Sequence, residues 1–379
     1  MEHYLDNAAT TRVSDAAAQA ALAAMTGEFG NPSSRHQAGA RAAQALKEHR
    51  TVIAKALGAK PEEVIFTSCG TESDNWAIRA AVHLNRRKGK HIITTAIEHD
   101  AVLEPCRELE RDGYEVTYLK PDRNGNITVE QVADALREDT VLVSMMLVNN
   151  ELGTILPVAE TAKLLKEKRS EALLHCDAVQ AFLKIPFTAK ELGADLISIS
   201  GHKVHAPKGI GALYIRSGLK APPMIVGGHQ EDSLRSGTEP TAQIAAFAAA
   251  VEEGLARFAR DSAHLSQLKT YAAQTLTREI PELELIGAGQ APHILPVTLP
   301  GYKSEVMVRF LSDMGIFISS GSACHKGKPS HVFAALNLPK KQMDGVLRIS
   351  FSAENTKEDV DALVSGLKQA KERLFTSLS

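Results

Sequence analysis

Between residues 61 and 215 the chain alternates short apolar runs with amphipathic stretches. The runs 63–67, 91–95, 115–119, 141–148, 173–176, 196–200 and 212–215 have the length of strands, and most are rich in Val and Ile. Stretches 73–84 and 103–111, lying between the early runs, carry a helical period. Strands separated by helices of about 10–15 residues predict βαβ units and a mostly parallel sheet covered by helices on both faces. Segment 241–259 is Ala-rich and free of Gly until Gly254, which predicts a bridging helix.

Beyond residue 259 the rhythm changes. Pro292, Pro296 and Pro300 punctuate a short strand, followed by a helix at 304–313 and a strand at 315–319. A Gly-rich loop, a helix near 331–338, a strand at 346–351 and a last helix complete the pattern. That helix opens on Thr356 and Asp359, at capping-box spacing, and Val360, Leu363, Val364, Leu367 and Leu374 mark one apolar face. The fold class expected is α/β, with a large domain at 14–257 and a smaller α+β domain formed by 1–13 and 258–379.

Composition narrows the function classes. Hydrophobic residues at 44% and charged residues at 23% exclude a disordered or collagen-like chain. Forty-three basic against forty-five acidic residues, a net charge of -2, argue against nucleic acid or an acidic membrane as a direct partner. No apolar run approaches the roughly 20 residues of a membrane helix, and the first residues carry no basic leader, so the expected location is cytoplasmic. Cys69, Cys106, Cys176 and Cys324 form no C-x-x-C pair. A secreted disulfide framework and a zinc ribbon are therefore not expected, and no metal site is assigned.

Chemistry concentrates at strand ends. Ser200-Gly201-His202-Lys203 leaves an apolar strand at the edge where open α/β sheets bind ligands. A partly desolvated Lys203 is a nucleophile able to form a Schiff base; otherwise it is a solvated lysine flanking a strand. His175-Cys176-Asp177 ends another strand. Asp177 suits the ring nitrogen of pyridoxal phosphate (PLP), or serves as a helix cap. Thr67 to Ser73, small and hydroxyl-rich before a helix, reads as a phosphate monoester site or as ordinary capping by Ser68 or Thr71. Cys324 stands in a polar loop beside His325, Lys326 and Lys328, which favour its thiolate. His99 could stack on a planar cofactor and exchange protons, or be simply hydrogen-bonded.

Together these segments resemble a cysteine desulfurase of the NifS/IscS type, within the class-V aminotransferase group of fold-type-I PLP enzymes. The resemblance runs from Tyr4-Leu-Asp-Asn-Ala-Ala-Thr-Thr11 to Arg348-Ile-Ser-Phe351. It takes in Phe29-Gly-Asn-Pro-Ser-Ser34, Glu98-His99, Val148-Asn-Asn-Glu151, Arg235-Ser-Gly-Thr238 and Ser320-Gly-Ser-Ala-Cys324. It implies the PLP-dependent transferase fold of type I and PLP as cofactor, carried on Lys203. Asp177 would pair with the ring nitrogen, Gln180 contact the ring hydroxyl and His99 stack on the ring. Gly70, Thr71, Ser200 and His202 would hold the phosphate, with Thr238 reaching it from the other subunit of a homodimer. Asn150 and Arg348 would bind the substrate carboxylate, Asn150 also lying near the ring.

The implied reaction converts L-cysteine to L-alanine. The PLP ring serves as electron sink, and Cys324 takes the sulfur as a persulfide. An acceptor protein, such as an iron–sulfur scaffold or a tRNA-thiolation protein, would receive it. Two other readings compete with this one. A selenocysteine lyase or an aminotransferase would use the same scaffold, but transamination does not require Cys324. A non-catalytic PLP-binding sulfur-relay subunit would lack Lys203, Asp177 or Cys324, and all three are present.

Overall fold

The computed structural model describes residues 2–287, 289–320 and 330–375. Its strands, in chain order, begin with β1 (His3–Tyr4), β2 (Val64–Thr67), β3 (His91–Thr95), β4 (Glu115–Leu119) and β5 (Thr140–Met146). They continue as β6 (Leu173–Asp177), β7 (Leu196–Ser200), β8 (Gly211–Ile215), β9 (Glu284–Leu285) and β10 (Ile294–Thr298). Last come β11 (Ile316–Phe317), β12 (Ser319–Ser320) and β13 (Val346–Ser350).

Seven strands form one sheet in the order β2-β8-β7-β6-β5-β3-β4. All run parallel except β8, which pairs antiparallel with both β2 and β7. Six of them, β2, β3, β5, β6, β7 and β8, are buried along their whole length. That is why they read as continuous apolar runs rather than alternating ones. The expected parallel sheet is present, and its strand ends set the site.

Several local expectations need correction. The run expected at 141–148 ends as a strand at Met146, because the chain then turns into the site; Val148 makes only an isolated bridge to Ile155. The helix expected at 241–259 runs unbroken from Thr241 to Glu279. Gly254 costs little inside so long a helix, and Leu265, Leu268, Ala272 and Leu276 continue a buried stripe at helical spacing. Its first half packs Phe247 and Val251 into the core under the large sheet. Its second half packs against β10, β13 and the last helix, Lys357–Arg373. The strand expected at 315–319 is divided into β11 and β12, which join different sheets: β11 pairs with β1, and β12 with β13. No helix among the described residues is long and apolar enough to cross a membrane.

Candidate active site

The C-terminal ends of β2, β3, β5, β6 and β7 open into one cavity of about 300 Å³. Each end is followed at once by residues that line it: Gly70 and Thr71, His99, Asn150, Gln180, and His202 with Lys203. Asp177, the last residue of β6, lines it as well, as do Ser200 and Arg348. Parallel strands with crossover helices force this convergence, since every strand end emerges at the same edge.

Lys203 sits on a single 3₁₀ turn, Gly201–Lys203. Its Nζ donates to the carbonyls of Ala8 and Ala9, each at 2.7 Å. The N-terminal segment thereby closes one wall of the cavity. Gln180 reinforces it, donating Nε2 to the Ala8 carbonyl at 2.8 Å. His202 shares a hydrogen bond with Thr10 Oγ1. Burial, then the Lys203 and Lys208 charges, push the His202 pKa down to about 4, so the ring is neutral at pH 7.

Asp177 is 6% exposed, and its Oδ1 accepts from the Val179 N–H at 2.9 Å. Burial raises its pKa, and the neighbouring Asp74 carboxylate raises it further. A carboxylate so placed calls for a cation in the cavity. The protonated ring nitrogen of PLP supplies that charge, so the residues present fit this end of the cofactor.

The phosphate end fits too. Helix Gly70–Asn85 begins after Cys69, which makes no side-chain cap, and neither Ser68 nor Thr71 caps it. The free N–H groups of its first turn therefore face the cavity as an anion site. Ser200 Oγ is buried and has no hydrogen-bond partner among the described residues. A side chain at Gly70 would collide with Val179, its Cβ lying 2.8 Å from Cγ2, so this glycine keeps the cradle open.

On the substrate side, Arg348 projects from β13 and is 7% exposed. It donates to Asp6 Oδ1 at 2.8 Å and to the Asn150 carbonyl at 3.1 Å, while its Nε has no partner among the described residues. Asn150 Oδ1 is likewise buried without a partner among the described residues. His99 caps helix Asp100–Arg111, its Nδ1 accepting from the Ala101 N–H at 3.1 Å. That bond leaves the neutral ring's proton on Nε2.

Thr238 is exposed and does not line this cavity. Cys324 and its neighbours His325, Lys326 and Lys328 lie outside the described residues.

The sequence reading did not single out Asp74 or the Ala8–Ala9 carbonyls. Asp74 lies one helical turn after Gly70 and so shares its face, a spacing that could have exposed it. Glu98 and Glu151 enter the sequence reading only within matching segments. Glu98 is fully buried: Oε1 accepts from Thr95 Oγ1 and the Met146 N–H, and burial holds its pKa well above the usual range. Glu151 Oε1 accepts from Ser330 Oγ at 2.8 Å, and burial raises its pKa to about 7. Among the described residues no group of three His, Cys, Asp or Glu side chains could hold a metal ion.

The comparisons agree with this geometry. The cysteine desulfurase IscS of Dictyoglomus turgidum is 41% identical over 99% of this chain and 96% of its own. That of Methanosarcina thermophila is 41% identical over 98% and 92%. Among solved structures, a NifS-like protein superposes with a TM-score of 0.93 at 36% identity, over 99% of this chain and all of that one. SspA in complex with cysteine superposes with a TM-score of 0.81 at 35% identity, over 94% of this chain and all of that one. The model of the aminotransferase class-V family matches residues 3–363. With that match spanning nearly the whole sequence, and with a cavity suited to PLP at both ends, the chain belongs to the class-V aminotransferase family.

Proposed function

We propose that the chain is a PLP-dependent cysteine desulfurase. It converts L-cysteine to L-alanine, leaves the sulfur on Cys324 as a persulfide, and passes it to an acceptor protein for iron–sulfur clusters or thiolated cofactors and tRNA. The observation that carries this reading is the convergence of Lys203, Asp177, His99 and Arg348 on one cavity in a chain that also has Cys324. The reading places it in the cytoplasm as a homodimer, with Thr238 completing the partner's phosphate site.

When bound, PLP supplies a carbonyl for the substrate amine and a ring that accepts the electron pair released at Cα. Lys203 Nζ holds the cofactor and moves the Cα proton. Asp177 keeps the ring nitrogen protonated, its own buried charge being offset by the same contact. Gly70, Thr71, Ser200 and His202 hold the phosphate, and Gln180 reaches the ring hydroxyl. Arg348 and Asn150 would fix the substrate carboxylate, Arg348 offering an Nε–H that has no partner among the described residues. His99, which lines the cavity and has Nδ1 engaged by the Ala101 N–H, would stack on the ring.

The sulfur step conserves atoms. The Cys324 thiolate attacks the substrate sulfur, the Cβ–S bond breaks, and Cβ takes up a proton; thiol plus cysteine becomes persulfide plus alanine. Incubating the PLP-loaded protein with L-cysteine should yield alanine and a mass increase of one sulfur on Cys324. Formation of a keto acid without persulfide would overturn the assignment.

A further inference from the structure

A buried polar layer lies within the large sheet, next to Asp177. Ser144 on β5 is the register partner of His175 on β6, and Ser198 on β7 is that of Asp177. Side chains two residues apart on a strand share a face, so His175 stands on the same face as Asp177. Ser144, His175 and Ser198 are all completely buried. His175 Nδ1 shares a hydrogen bond with Ser144 Oγ at 2.8 Å, and its Nε2 shares one with Ser198 Oγ at 3.0 Å.

Helix Gly70–Asn85 brings a second carboxylate to this layer. Asp74 is 2% exposed and lines the same cavity as Asp177, and its Oδ1 has no hydrogen-bond partner among the described residues. That oxygen lies 3.4 Å from His175 Nε2, but the imidazole is no counter-ion. Burial lowers its pKa to about 4, against the pull of Asp177, so the ring is neutral at pH 7. Burial also raises the Asp74 pKa to about 7, and a hydrogen bond with Ser198 opposes the rise. The other titratable groups around the pair are Cys176 on β6, Glu98 after β3 and His99 before helix Asp100–Arg111. Burial holds the pKa values of Cys176 and Glu98 well above their usual ranges.

Two buried carboxylates therefore border one cavity. A single ring nitrogen carries one positive charge and offsets one of them. The other escapes the cost of a buried charge by keeping its proton, as happens in close carboxylate pairs. Asp177 is the member set to meet the ring. The neighbours of Asp74 are a hydroxyl and a neutral imidazole, which tolerate an uncharged acid.

We propose that Asp74 is a positioning residue for the cofactor: at mildly acid pH it holds the proton of the Asp74–Asp177 pair, leaving one counter-charge for the ring nitrogen, and on losing that proton at higher pH it supplies a second. Asp74 acts through Asp177 and the ring, and the assignment rests on the PLP reading of the cavity.

Asp74→Asn fixes the neutral form while keeping the size of the side chain and an acceptor for Ser198. In cofactor-free protein a raised carboxyl pKa makes stability fall as pH rises from about 4 to about 7. Between pH 5 and pH 8 the unfolding constant from urea titrations should therefore rise at least about tenfold less in the variant than in the wild type. Absorbance titration with PLP then gives the ratio of variant to wild-type Kd. Titrations common to both proteins, those of His99 and the phosphate included, cancel in that ratio. It should be near one at about pH 5.5 and roughly tenfold at about pH 9. A ratio that does not change with pH, whatever its size, marks a purely structural role and would overturn the proposal. An unaltered pH dependence of stability would do the same. Wild-type protein that binds no PLP would overturn the cofactor reading itself, and this proposal with it. Should Asp74→Asn fail to fold, Ser198→Ala removes the hydrogen bond that favours the ionised Asp74. That variant should bind PLP about twofold more weakly than wild type near pH 7 and equally well at about pH 9, and a loss that is the same at both would count against the proposal.

Discussion

Replacing Asp177 by Asn should move cofactor-free stability and PLP affinity in opposite directions. In the cofactor-free protein the Asp177 carboxyl is buried beside Asp74, and its pKa rises from 3.8 to about 7. A raised carboxyl pKa means that the folded chain holds its proton to higher pH than the unfolded chain. The penalty is therefore absent below about pH 4, grows from there to about pH 7, and is complete above it. Three pH units at 1.36 kcal/mol each set a ceiling of about 4 kcal/mol. Asn removes the charge yet keeps an acceptor for the Val179 N–H. Cofactor-free Asp177→Asn should thus gain roughly 2–4 kcal/mol at pH 8 and little at pH 4. PLP binding should suffer instead. A charge pair at about 4 Å with an effective dielectric constant of 20 is worth about 4 kcal/mol, so an affinity loss of roughly 100-fold or more is expected. Urea unfolding at the two pH values and absorbance titration with PLP measure both arms. A cofactor-free variant less stable than wild type at pH 8, or one with unaltered PLP affinity, would refute the reasoning.

Three further outcomes are expected. Ser200→Ala should weaken PLP about tenfold while hardly changing cofactor-free stability, because the hydroxyl has no partner to lose; equilibrium dialysis and thermal melting separate the two. Glu98→Gln should cost less than about 1 kcal/mol, since a protonated carboxyl and an amide serve the same two donors, whereas Glu98→Ala should cost about 3 kcal/mol in urea unfolding. Cys324→Ser should bind PLP and L-cysteine with a normal spectrum but release no alanine, since oxygen cannot accept the sulfur; near-normal turnover would remove this residue from the mechanism.

The sequence by itself determined the elements and the chemistry available to them. Strands buried on both faces are rich in apolar residues, so β2, β3, β5, β6, β7 and β8 were visible as runs, and the polar residues at their ends stood out against them. Lys203, Asp177 and His99 stood out for that reason. Tertiary structure alone decided what those ends meet. The order β2-β8-β7-β6-β5-β3-β4 brings together residues more than a hundred positions apart, and no local pattern encodes which strand neighbours which. It also placed the Ala8 and Ala9 carbonyls on Lys203, Asp6 on Arg348, and the charge of Asp74 beside Asp177. The helix Thr241–Glu279 makes the same point about boundaries: its sequence is helical throughout, and only packing assigns its two halves to different cores. Propensity and periodicity act over a few residues, whereas burial and pairing act across the whole chain, and the site is built from the second kind of information.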